Sequence, residues 1–158
     1  MERVNRLLAD TEYKNLLEHL EKLEENRRFC RHGLEHLLSV ARIAWIRNLE
    51  EGLKFEKEAV YLSALLHDLG RIEEYERGIP HHEAGRERAA YFLEKLQYPA
   101  GKQKEILEAV EGHRKREGEA GLSVLLAKAD KASRNCGYCK AYRECKWSKE
   151  EKEHQFER

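Results

Sequence analysis

Only three of the 30 acidic residues in this 158-residue chain are aspartates, at positions 10, 68 and 130. The rest are Glu, the better helix former and the usual choice for a solvated helical face. Asp68 and Asp130 instead lie inside the apolar runs AVYLSALLHDLGR and LSVLLAKADK, and Asp68 directly follows His67. Titratable side chains at the end of a buried helix are costly unless they are paired or bind a metal. Imidazole plus carboxylate is a common ligand set for divalent ions. His36 falls on one i, i+4, i+8 stripe with Val40 and Ala44, so its ring points where the core residues point. Asp130 stands four residues after Leu126 and His113 three after Val110, each on the apolar face near a helix end. Helical folds build ligand sites in this way, from side chains converging off facing helices.

A His/Asp site without thiolates and with an open position suits Mn²⁺, Fe²⁺, Co²⁺, Ni²⁺, Zn²⁺ or Mg²⁺, and affinity order alone does not choose among them. Its chemistry would be hydrolytic. A catalytic Zn²⁺, for instance, brings the pKa of its bound water to about 7 and polarises a phosphoryl oxygen. Arg71, Lys131 and Arg134 flank the proposed ligands and Arg114 follows His113. Arg geometry fits a phosphate well. Asp68, Arg71 and Lys131 are therefore the candidate catalytic residues, with Arg114 and Arg134 as candidate phosphate-binding groups.

The elements that must position these groups are helical. Apolar residues recur at helical spacing nearly throughout, with no convincing alternating strand. Hydrophobic residues make up 41% and charged residues 38%, with two Pro, a balance typical of helix-rich proteins. An all-α single-domain bundle of about six to seven helices is expected. A first helix carries Tyr13, Leu16, Leu17, Leu20 and Leu23, capped by Asp10 or Thr11. A second covers 29–51 and stops at Gly52. The third, 56–69, is apolar on all sides and should be central, closed by Gly70. Residues 71–80 read as a loop punctuated by Gly78 and Pro80. A fourth helix covers 82–97, a fifth carries Ile106, Leu107 and Val110 and ends within 112–116, and a sixth carries Leu122, Leu125, Leu126 and Ala129. Residues 1–134 form the helical domain. A Cys-rich segment and a polar terminal helix, with Ser148 and Glu151 as a capping box, make up 135–158.

Four cysteines are expected to be reduced. No stretch approaches the roughly 18 to 20 apolar residues of a membrane span, and the start lacks the apolar core of a secretory signal. A cytoplasmic location, without disulfides, is the expectation. Cys136, Cys139 and Cys145 lie within ten residues of one another, and Cys30 is the remaining thiol. The four could close a structural zinc site or hold an iron–sulfur cluster, or simply pack the tail as free thiols. Cys30 is six residues from His36 and Cys136 six from Asp130, so meeting of those two ligands would bring both cysteines close. Lys plus Arg equals Asp plus Glu at 30 each. That balance removes a global attraction for membranes or nucleic acid and argues against a polymeric nucleic-acid substrate.

The order His36, His67-Asp68, Asp130, with His36 opening HLLSVARIA, the dyad followed by Leu-Gly-Arg and Asp130 inside AKADK, resembles the HD-domain metal-dependent phosphohydrolase superfamily over about residues 28–134. The resemblance implies that His36, His67, Asp68 and Asp130 hold a catalytic metal. Many members add two His between the dyad and the last Asp to hold a second ion. His81, in Pro80-His81-His82-Glu83-Ala84-Gly85, and His113 look like those positions, with His81 preferred to His82. His32 lies one turn before His36, so either is the first ligand; the H-x-x-x-V-A pattern favours His36 and leaves His32 as its support. Arg71 stands where many members carry Lys and keeps a cation beside the site. His19, His82 and His154 are expected at the surface. The implied activity is hydrolysis of a small phosphorylated substrate, a nucleotide or phosphometabolite. A non-catalytic sensory module, or a scaffold with a redox- or metal-responsive Cys tail, is the alternative.

Overall fold

A computed structural model describes residues 1–112 and 121–153. The expectations for His113, Arg114 and His154 lie outside the described residues.

The central helix is α4 (Lys57–Leu66), in which every residue from Ala59 to Leu66 except Tyr61 is buried. A segment apolar on all sides has no solvated face to offer, so its neighbours must surround it. They are α3 (Leu34–Glu50), α6 (His81–Lys95), α7 (Ala100–Gly112) and α8 (Leu122–Ala132), with α1 (Glu2–Ala9) against one end. The described residues contain no strand. Asp10 caps α2 (Thr11–Leu23) as expected, accepting from the Glu12 and Tyr13 backbone N–H groups at 3.0 and 3.1 Å. The fully buried Tyr13 then donates its hydroxyl to the Leu65 carbonyl at 2.8 Å, tying α2 to the end of α4. Gly52 has φ +65, the left-handed stop foreseen for α3. The capping box before α9 (Lys149–Glu153) forms in both directions, Ser148 N–H to Glu151 Oε2 at 2.9 Å and Glu151 N–H to Ser148 Oγ at 3.1 Å.

Two helices exceed the expected six or seven. α1 buries only Val4 and Leu7, too short a stripe to stand out, and Arg3 fastens it to Glu58 of α4 at 3.0 Å. The segment read as a loop is largely helix α5 (Arg71–Arg77). Its one buried apolar residue is Ile72 and its other buried side chain is Arg71, so no apolar period marks it. Gly78, at φ +71, ends it. α3 starts at Leu34 rather than near 29, leaving Cys30 in the connection before it, and α6 includes His81 at its first position.

α4 ends at Leu66, one residue before the dyad, and His67 to Gly70 form the turn into α5. Gly70 is required there by space: a Cβ would lie 2.1 Å from the His81 carbonyl oxygen and 2.3 Å from the Gly85 nitrogen. The dyad turn and the start of α6 meet backbone to backbone.

Candidate metal centre

Three elements aim their ends at one point: the first turn of α3 (His36), the α4–α5 turn (His67 and Asp68) and the last turn of α8 (Asp130). One ligand atom from each of these four residues lies within 4.8 Å of the others. Among the described residues no other group of three or more His, Cys, Asp or Glu ligand atoms is drawn together so tightly. His36 Nε2 stands 3.1 Å from Asp130 Oδ1 and 3.6 Å from Asp68 Oδ2, and His67 Nε2 is 3.0 Å from Asp68 Oδ2.

Each ligand is held from behind. His67 donates Nδ1–H to the Ala64 carbonyl at 2.7 Å, which turns Nε2 towards the carboxylates. His36 Nδ1 lies 3.1 Å from Ser133 Oγ, whose hydroxyl donates to the Asp130 carbonyl at 2.6 Å. Asp68 Oδ1 accepts Arg71 Nε at 2.7 Å. Such supporting bonds fix ligand orientation in metal sites.

The charge balance favours a cation. His67 and Asp68 are wholly excluded from solvent. Burial opposes charging of His67, yet the adjacent Asp68 carboxylate overrides it and pushes the imidazole pKa up. Burial likewise would raise Asp68, but His67 and Arg71 hold its carboxyl well below the usual range. Asp130 is held low in spite of its burial by its bond to His36 and by Arg134. Asp68 Oδ2 is buried and faces His67 Nε2 at 3.0 Å and His36 Nε2 at 3.6 Å. The Arg134 guanidinium sits 2.9 Å from both His36 Nε2 and Asp130 Oδ1, a positive group between two ligand atoms. Two imidazoles and two carboxylates converging in a buried site fit a divalent ion, which would displace the proton that His67 otherwise attracts.

The other sequence candidates are placed as follows. His32 is buried next to the four, its Nε2 4.0 Å from Asp68 Oδ2. Its Nδ1 is 2.5 Å from Glu24 Oε1, and its backbone N–H donates to Glu24 Oε2 at 2.7 Å. Arg71 bridges Asp68 to Glu74 (Nη1 to Oε2, 3.3 Å), and Glu74 Oε1 is 2.9 Å from His81 Nδ1. His81 is thus fully buried and linked to Asp68 through two side chains, outside the tight group of four. Arg134, besides meeting His36 and Asp130, donates to the Arg31 carbonyl at 3.0 Å. His19 is exposed and pairs with Glu76, whereas His82 is half-buried rather than at the surface.

Sequence reasoning missed Glu24, which is 1% exposed and accepts from Tyr75 Oη at 2.6 Å as well as from His32. A signal was present: Glu24 continues the buried stripe Tyr13, Leu17, Leu20. Burial would raise its pKa, but the bonds from His32 and Tyr75 bring it down to about 2.

A cavity of 640 Å³ reaches this group at Asp130, with His32 and Arg71 beside it in the lining. Arg27, Arg71, Lys128, Lys131, Arg134 and Lys146 contribute its cationic lining, against Asp130 and Glu144, and Phe29 and Trp147 supply aromatic walls. The last four residues of the wall, Glu144 to Trp147, belong to the tail after α8.

No helix among the described residues is long and apolar enough to cross a membrane. No solved structure matches the chain. An uncharacterized protein of Clostridium beijerinckii is 42% identical over 152 residues, covering 96% of each chain. The family model described as HD domain matches residues 33–151, a span that takes in His36, the His67-Asp68 turn and Asp130 together, and the chain belongs to the HD domain family.

Proposed function

We propose that this protein is a metal-dependent phosphohydrolase acting on a small phosphorylated substrate, with His36, His67, Asp68 and Asp130 holding the ion. The observation that carries the reading is the convergence of four ligand atoms within 4.8 Å, one of them on Asp130, which lines a cavity with six cationic side chains. A divalent ion, when bound, supplies Lewis acidity towards a phosphoryl oxygen and makes a water acidic enough to act as nucleophile near neutral pH.

The chain's own residues do the rest. Arg71 keeps Asp68 in place through its Nε and lines the cavity, so it both positions a ligand and adds positive charge where the phosphoryl group must lie. Lys131 and Lys128, on the last turns of α8, extend that field towards the opening. Such fixed charges stabilise a transition state that spreads negative charge over oxygens. His32, with Nδ1–H directed at Glu24, presents an unprotonated Nε2 to the site. It accepts a proton from the attacking water and returns one to the leaving oxygen. Phe29 and Trp147 give the cavity flat apolar surfaces, which favour a nucleotide over a sugar phosphate. The basic rim is local; the whole chain carries no net charge, which argues against a polymeric nucleic-acid substrate.

His81 is a candidate for part of a second ion site with His113. Its buried ring and its link to Asp68 through Glu74 and Arg71 support that assignment.

The test is a hydrolysis screen of nucleotides and sugar phosphates with Mn²⁺, Co²⁺, Ni²⁺ and Mg²⁺ in parallel. The expected outcome is metal-dependent release of phosphate, strongest for a nucleotide. Ligand binding without turnover under every metal would assign the fold to a sensory module instead.

A further inference from the structure

The cysteines take no part in the hydrolytic chemistry, yet the fold assembles them. Cys30, in the connection before α3, is more than a hundred residues from the others in sequence. It lines the main cavity together with Cys145, and it lines a second, adjoining cavity of 380 Å³ together with Cys136 and Cys139. All four are free thiols. Cys136 is buried at the head of a single 3-10 turn (Cys136–Tyr138), with the Cys139 N–H closing that turn on its carbonyl at 3.1 Å. Cys30 thus shares a cavity wall with each of the other three cysteines.

We propose that Cys30, Cys136, Cys139 and Cys145 bind a second, sulfur-ligated metal centre that pins the tail as a wall of the main cavity. This goes beyond the phosphohydrolase reading and does not depend on it. Four thiols gathered from two distant segments repel one another once ionised, and a thiophilic cation removes both the protons and the repulsion. Two contacts already tie the segments together, Arg28 pairing with Glu144 and Arg134 Nη1 donating to the Arg31 carbonyl at 3.0 Å, while Arg27 Nε to the Cys30 carbonyl (2.7 Å) and Lys152 Nζ to the Cys145 carbonyl (3.2 Å) fold each segment on itself. Lys146 and Trp147 follow Cys145 directly, so the centre fixes the part of the tail that faces substrate.

The shared chemistry is tetrathiolate coordination, which serves a single Zn²⁺ or an iron–sulfur cluster. The sulfurs stand wider than the 4.8 Å grouping of the His/Asp site. A lone zinc, with Zn–S near 2.3 Å, needs them to close to an edge of about 3.8 Å. A cubane cluster, in which each thiolate takes a different iron, needs less closure.

The experiment has two parts. First, iron, sulfide and zinc are measured on the anaerobically purified full chain, and Co²⁺ is titrated into metal-free protein while sulfur-to-cobalt charge-transfer absorption is followed. Nitrogen and oxygen ligands cannot produce that absorption, so the Asp68→Asn variant should keep it, whereas Cys139→Ser and Cys145→Ser should lose it. Iron with sulfide identifies a cluster, and zinc with the cobalt band identifies a single ion. Second, in the unmodified chain, Zn²⁺ should protect all four thiols from alkylation and slow proteolysis within 135–147 by about a hundredfold when free metal is a hundred times Kd. This part stands even if the Ser variants do not fold. Absence of iron, of a cobalt–thiolate band and of thiol protection in the unmodified chain overturns the proposal, whatever the outcome of the hydrolysis screen.

Discussion

The chain carries two sets of metal-type ligands side by side, and they differ in how far the fold has prepared them. The His/Asp set grows from the ends of α3, α4 and α8; its atoms are within 4.8 Å of one another, and His36, His67 and Asp68 each have a supporting bond from their own or a neighbouring element. The cysteine set joins a pre-helical connection to a tail of short turns, and its sulfurs are gathered but not drawn tight. Rigid elements position a site without its ion, whereas loops need the ion to finish the geometry. The first site should therefore survive loss of metal as a shape, and the second should not.

The largest effect expected from breaking the prepared site is at Asp68. Asp68→Asn keeps the volume but removes the charge that faces His36, His67 and Arg71, so turnover should fall to background and metal affinity by well over the 10- to 100-fold typical of supporting residues. Activity assays with metal quantification check this. Retained turnover in the metal-loaded variant would refute the assignment of Asp68. Gly70→Ala attacks the preparation itself. With a Cβ 2.1 Å from the His81 carbonyl oxygen, backbone must shift, at a cost on the order of 3 kcal/mol. A thermal melt should show a fall of several degrees or more, with metal affinity lost alongside.

His32→Ala separates proton transfer from ion binding. The four ligands remain, so metal content should be unchanged while kcat drops by about 10²–10⁴. Loss of metal in that variant would make His32 a ligand instead. Lys131→Ala should leave kcat within a few-fold and raise KM by roughly tenfold, the loss of one phosphate contact of about 1.4 kcal/mol.

The smallest effect concerns Glu24. Its folded-state pKa, about 2, lies below its ordinary value of 4.5, so the unfolded chain binds the extra proton as pH falls between those values. The stability contributed by Glu24 is present above about pH 4.5 and is lost as pH drops towards 2. In Glu24→Gln, the melting temperature should depend less steeply on pH across that window, by one proton's worth. An unchanged slope would show that Glu24 is not held ionised by His32.

What could be read in the sequence follows the same division. The convergence of His36, His67, Asp68 and Asp130 was legible because each is a polar residue within or at the end of an apolar run, where its presence needs a reason. The central position of α4 was legible because it has no polar face. Helix α5 was not, because what it buries is Arg71 and Ile72 rather than an apolar period, and its purpose is to hold the Asp68–Arg71–Glu74–His81 chain of contacts. Glu24 was hidden among many Glu even though it continues the Tyr13–Leu17–Leu20 stripe. Arg134 could be placed near the site from its spacing to Asp130. Its contact with His36, 98 residues away, depends on how α3 and α8 pack and cannot be read from either segment alone.

The most direct test is a crystal structure of the chain soaked in Mn²⁺, read by anomalous scattering. The account predicts a peak within about 2.0 to 2.3 Å of His36 Nε2, His67 Nε2 and carboxylate oxygens of Asp68 and Asp130, with the Arg134 guanidinium displaced from between them. A fully loaded crystal with no peak there, or with Arg134 still bridging His36 and Asp130, would contradict it.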